Sequence, residues 1–117
     1  MDYPYYWGHA DETGSGDGEG ANLSLPLPRG TDWTAYAKAL DRALDWIERF
    51  EADLLIVSYG ADTYAFDPIS HFKLETRDYQ PMGQAIAALA LPTLIVMEGG
   101  YAVDALGANV TGFLGGF

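Results

Sequence analysis

Two short apolar runs, Leu54-Leu55-Ile56-Val57 and Leu94-Ile95-Val96-Met97, constrain this chain more than any other feature. Neither alternates polar with apolar residues, and both are rich in branched side chains. Each therefore predicts a β-strand, Leu54–Ser58 and Thr93–Met97, buried on both faces. Between them, Asp78 can cap a helix with Pro81 in its first turn, Met82, Ile86 and Leu89 give it an apolar side, and Pro92 stops it. Strand, helix and strand in this order predict a parallel pair joined by a right-handed crossover. Upstream, Trp33, Tyr36, Leu40, Leu44, Ile47 and Phe50 recur at helical spacing behind a cap at Thr31 or Asp32. Before that, Leu23, Leu25 and Leu27 alternate with Asn22, Ser24 and Pro26, the pattern of a half-buried edge strand. A last amphipathic segment runs from about Val103 to Leu114. The expected class is α/β, a parallel sheet flanked by helices. Three strands leave faces and edges uncovered, so the chain is expected to be the C-terminal part of a larger sheet.

Each apolar run ends in a turn that carries chemistry. The first leads into Ser58-Tyr59-Gly60-Ala61-Asp62-Thr63, and the second into Glu98-Gly99-Gly100-Tyr101. Open α/β sheets build their sites at the carboxyl ends of strands. Asp62 follows Ser58 at the spacing at which Tyr101 follows Met97, so neighbouring strands would turn both side chains into one cleft. A carboxylate there can bind a hard or borderline cation. A tyrosine hydroxyl beside it can donate to a developing oxyanion. Gly99 and Gly100 allow the sharp turn that brings Tyr101 over the cleft. Two other roles stay open on these residues alone. Asp62 can be a helix cap or an Asx-turn, and Tyr101 can be an aromatic that covers the top of the sheet.

Composition removes several functions. The 117 residues suit one small domain, and an apolar fraction of 49% suits a packed core. A net charge of −11 argues against nucleic acid or an anionic membrane as partner, and it accommodates a cationic substrate as well as ordinary cytoplasmic acidity. There is no cysteine, which excludes disulfides, thiolate metal sites and cysteine nucleophiles. No run approaches the roughly 20 apolar residues of a membrane span, and the N-terminus lacks the pattern of a signal peptide. The glycine run from Gly14 to Gly20 precedes an alternating segment and carries acid, the reverse of a phosphate loop, so it predicts a tight surface loop.

Several motifs in order carry a family resemblance. They are Tyr3-Pro4, Gly8, Asp11-Glu12-Thr13-Gly14, Arg29-Gly30-Thr31, the Ser58–Thr63 segment, Phe66-Asp67-Pro68-Ile69-Ser70, Phe72-Lys73-Leu74 and Glu98-Gly99-Gly100-Tyr101. In spacing and order they resemble the histone deacetylase family, most of all its acetylpolyamine amidohydrolase branch, over essentially the whole chain. The resemblance implies an arginase/deacetylase-like fold and a zinc-dependent amidohydrolase that removes acetyl groups from amines. It implies Asp62 as a zinc ligand and Tyr101 as the catalytic residue that polarises the amide carbonyl. It implies Tyr3, Pro68, Gly99 and Gly100 along the substrate channel. The substrate it implies is a small cationic acetylated amine or acetyl-lysine, the setting cytoplasmic, and the complete protein a homodimer in relatives of the polyamine branch.

The family pattern also contains an Asp-x-His segment with two further zinc ligands and a His-His pair for acid–base work. Neither is in this sequence, whose two histidines, His9 and His71, stand outside those motifs. Residues 1–117 are therefore expected to be the C-terminal part of a single catalytic domain, holding one of three zinc ligands and inactive alone. The alternative is a non-catalytic fragment or interaction module that binds no zinc.

Overall fold

The computed structural model describes residues 8–117. Helix α1 (Trp33–Phe50) starts where local chemistry places it, with the Asp32 carboxylate accepting the Ala35 amide at 3.0 Å. It ends at Glu51, which turns left-handed at φ 54°. Strand β1 (Leu55–Tyr59) follows, then a long loop, helix α2 (Tyr79–Ala87), strand β2 (Thr93–Met97) and helix α3 (Val103–Leu114). β1 and β2 are hydrogen-bonded neighbours running parallel, in a register that pairs Leu55 with Thr93 and Tyr59 with Met97. The predicted α/β layout, a parallel sheet flanked by helices, is the observed one.

Three details differ from expectation. First, residues 23–27 are half-buried but join no sheet. Leu25 and Leu27 lie instead beside Tyr36 and Leu40 of α1. A period of two reports burial on one side of an extended chain, and Pro26 lacks the amide that ladder pairing needs. Second, the strands are buried on one face only. Ile56, Leu94 and Val96 are 59%, 54% and 40% exposed, because all three helices pack on the opposite face. Third, Asp78 stands at the N-cap position of α2, as expected, but its side chain makes no cap hydrogen bond there. It closes a preceding 3₁₀ turn (Thr76–Asp78) by accepting the Glu75 amide at 2.7 Å, and that turn runs straight on into the helix.

The core sits between the covered sheet face and the helices. Tyr59, Ala61, Leu74, Tyr79, Met82, Ile86 and Phe113 are buried together, with Leu55, Val57 and Ile95 packed against them. The Tyr59 ring stacks on Phe113 at a centroid distance of 4.0 Å and meets Tyr79 edge-on at 6.3 Å. The segments around Thr31 and Phe72, two of the motif regions, are tied by Gly30 N–H to the His71 carbonyl at 2.9 Å and Lys73 N–H to the Thr31 carbonyl at 2.8 Å. Among the described residues no helix is long and apolar enough to cross a membrane.

Candidate active site

The parallel ladder continues beyond the ends of the strands. The Glu98 amide donates to the Tyr59 carbonyl at 2.8 Å, and the Ala61 amide donates to the Gly99 carbonyl at 2.8 Å. The two strand-exit turns therefore leave the sheet side by side. β1 extends to Tyr59, one residue past the expected Ser58, so Asp62 stands three residues beyond the last pair and level with Gly100. Tyr101 lies one residue further along.

Asp62 starts no helix, and its two neighbours are fixed from below. The Tyr79 phenol on α2 donates to the Ala61 carbonyl at 3.1 Å and lies 3.1 Å from the Thr63 hydroxyl. A phenol has one proton, so Thr63 is the donor in the second bond. The Asp62 carboxylate lies against two glycines. A methyl group on Gly99 would come within 2.5 Å of Asp62 Oδ2 and 3.5 Å of Tyr101 Cε2, and one on Gly60 within 2.8 Å of Asp62 Oδ1. The Asp62 carboxylate and the edge of the Tyr101 ring thus both border Gly99. Gly100 adopts φ 138°, which side chains rarely do, and its Cα side faces Ala61 and Leu106.

Pro68 and Tyr101 line one groove of about 470 Å³ together with Tyr64, Phe66 and Asp104. The Tyr101 side chain is half-exposed at its wall. Tyr3 lies outside the described residues. Asp67, which carries no role in the sequence reading, proves to be buried, with Oδ2 accepting the Tyr101 amide at 2.8 Å and Oδ1 accepting the Ile69 amide at 3.0 Å. Gly60 and Tyr79 were likewise without a role. The Asp-Pro pair at 67–68 is a turn signal that could have marked the first of these, whereas nothing local marks Tyr79.

Burial pushes the Asp62 carboxyl above its ordinary range; its own backbone amide opposes the rise and the charge of Asp67 adds to it. A carboxylate desolvated beside a second acid suits a bound cation, so Asp62 fits one ligand position of a metal. It does not make a site alone, since catalytic zinc takes three protein ligands. Among the described residues no group of three histidine or acidic side chains is placed to hold a metal ion. The glycine run forms a 3₁₀ turn at Gly16–Gly18, and the next helix, α1, begins only at Trp33, too far along to receive a phosphate from this loop.

The whole chain, residues 1–117, matches the histone deacetylase domain family. It is 51% identical over 117 residues to acetylpolyamine amidohydrolase 2 of Pseudomonas aeruginosa, covering 100% of this chain and 34% of that protein. It is 46% identical over 114 residues to the acetylpolyamine amidohydrolase of Mycoplana ramosa, covering 97% of this chain and 33% of that protein. The crystal structure of acetylpolyamine aminohydrolase from Burkholderia pseudomallei superposes with a TM-score of 0.94 at 43% identity, over 98% of this chain and 34% of that one. The chain thus spans about a third of the length of the relatives it matches.

Proposed function

The chain belongs to the histone deacetylase domain family, and on that premise we propose that it forms part of a zinc-dependent amidohydrolase that removes acetyl groups from amines. Asp62 supplies one oxygen ligand to the metal. Tyr101 is the catalytic hydroxyl, donating a hydrogen bond to the carbonyl oxygen of the acetyl group as charge develops there. Pro68, Gly99, Gly100 and Tyr3 line the passage by which the acetylated arm enters. Zinc, when bound, supplies the Lewis acidity that activates water and carbonyl. The remaining ligands and the acid–base groups come from outside this chain, which by itself is inactive.

The observation that carries this proposal is that Asp62 and Tyr101 both border Gly99, at the carboxyl ends of two paired parallel strands. The substrate class is an acetylated polyamine or an acetyl-lysine side chain. The chain's acidity favours a cationic amine, and the setting is cytoplasmic. The complete protein is a homodimer or a monomer, to be settled by sedimentation.

The test uses the full-length natural protein that carries this sequence. Asp62→Asn should strip bound zinc and abolish turnover. Tyr101→Phe should retain zinc and lower kcat about 10²–10³-fold, the usual cost of one oxyanion donor. Full activity in both variants would refute the assignment.

A further inference from the structure

Asp67 is a buried carboxylate, 6% exposed, for which the proposed chemistry has no use. Each of its oxygens is committed to a backbone amide. The bond from Ile69 N–H to Oδ1, at 3.0 Å, is a local Asx-turn: Pro68 has no amide to offer, so the side chain reaches the next residue. The bond from Tyr101 N–H to Oδ2, at 2.8 Å, is different in kind, because it crosses 34 residues and joins the loop after β1 to the turn after β2. An amide bonded to an ionised carboxylate is among the stronger hydrogen bonds of a protein.

The turn needs such a bond. Gly99 and Gly100 precede Tyr101, so the backbone that carries the phenol has no side chain to anchor it for two residues. The Tyr101 side chain is itself 50% exposed, and packing alone holds only half of it. The first amide after the glycines is the one that Asp67 takes.

We propose that Asp67 is a positioning residue for Tyr101: its Oδ2 fixes the backbone of the tyrosine and thereby sets where the phenol stands relative to Asp62. This rests on the reading of Tyr101 given above. It touches neither substrate nor metal in that role and acts through the turn alone.

The chemistry of the pair supplies a selective variant. In Asp67→Asn, Oδ1 can keep the Asx-turn with Ile69, for asparagine makes that turn as readily as aspartate. The side-chain amide nitrogen then faces the Tyr101 N–H, donor against donor, and the long-range bond is lost. The loop stays and the tether goes.

The experiment is a double-mutant cycle in the zinc-loaded full-length natural protein, with an N-acetylated diamine as substrate. Asp67→Asn should lower kcat about 10–100-fold, the scale of a small misplacement of a reacting group, with KM and bound zinc little changed. In a Tyr101→Phe background the same change should cost almost nothing further. An unchanged kcat, or an equal loss in both backgrounds, would overturn the proposal. If Tyr101→Phe alone leaves kcat intact, the catalytic reading of Tyr101 fails, and amide hydrogen exchange still decides the tether. The Tyr101 amide should exchange slowly in the unmutated protein and faster in Asp67→Asn. Exchange as fast as in an unstructured peptide in the unmutated protein would refute the tether, whether or not the variant folds.

Discussion

The Tyr79 phenol donates to the Ala61 carbonyl at 3.1 Å, and through that bond a residue of α2 sets the backbone immediately before Asp62. The Thr63 hydroxyl bonds the same phenol from the other side of Asp62. The proposed metal ligand is thus held by a group that it does not touch. The arrangement explains how a carboxylate on a loop can be kept in place without a salt bridge among the described residues: the scaffold is fixed and the side chain follows.

Tyr79→Phe should therefore act twice. It leaves the buried Ala61 carbonyl with only a long 3.4 Å contact from the Tyr64 amide, and a lost buried hydrogen bond costs about 1–3 kcal/mol. It also frees the peptide units that flank Asp62. The expected outcome is a lower denaturation midpoint together with a weaker zinc affinity in the full-length protein, read by titration against a chelator. A stability loss with unaltered zinc affinity would show that the clamp serves the core alone.

Gly99→Ala should be selective for the site. The added methyl falls 2.5 Å from Asp62 Oδ2, inside any tolerated contact, so the carboxylate must rotate away. Zinc affinity should drop by at least the roughly 10–100-fold that loss of a supporting group costs a metal site. Thermal unfolding of the metal-free protein should move little. Metal content equal to that of the unmutated protein would remove Gly99 from the site.

A third expectation concerns alkaline pH. Burial raises Tyr59 and Tyr79 far above the ordinary tyrosine value of 10.0, with the Thr63 hydrogen bond partly offsetting the rise for Tyr79. In the unfolded chain both ionise near pH ~10, while in the folded protein they keep their protons. The folded state then binds more protons, so the stability they contribute is complete below pH ~10 and is lost as pH climbs toward the raised values. Denaturant midpoints should hold steady to pH ~9 and then fall. Tyrosinate absorbance from these two rings should appear together with unfolding. Their ionisation near pH ~10 in the intact fold would contradict the burial argument.

Much of this was legible from local patterns. The cap at Thr31 or Asp32 and the apolar spacing from Trp33 to Phe50 locate α1 to within a residue or so, because a cap and a helical stripe are written within a few turns of chain. The two apolar runs locate β1 and β2 for the same reason, as does the segment from Val103 for α3. That Asp62 and Tyr101 both border Gly99 follows from strand adjacency, whereas the groove lined by Pro68 and Tyr101 does not include Asp62. What stayed hidden depends on distance in sequence. No local feature says that the Asp67 carboxylate reaches Tyr101 or that Tyr79 reaches Ala61. Nor does apolarity alone tell how many faces of a strand are covered: Ile56, Leu94 and Val96 are as apolar as a buried strand requires, yet they face outward here. The alternation at Leu23, Leu25 and Leu27 was a true sign of one-sided burial and a false sign of pairing.

The pairing of Tyr59 with Met97, carried on by the bonds from Glu98 to Tyr59 and from Ala61 to Gly99, has a consequence for how such a chain can change over time. One residue inserted or deleted between Gly60 and Asp67, or between Glu98 and Tyr101, would shift Asp62 or Tyr101 against the other turn. The connection between Ala88 and Leu91 enters β2 at its amino end, on the opposite rim of the sheet, and can lengthen or shorten without moving either. Drift in loop length and refinement of the chemistry are thereby assigned to opposite ends of the same two strands, so that one can proceed without disturbing the other.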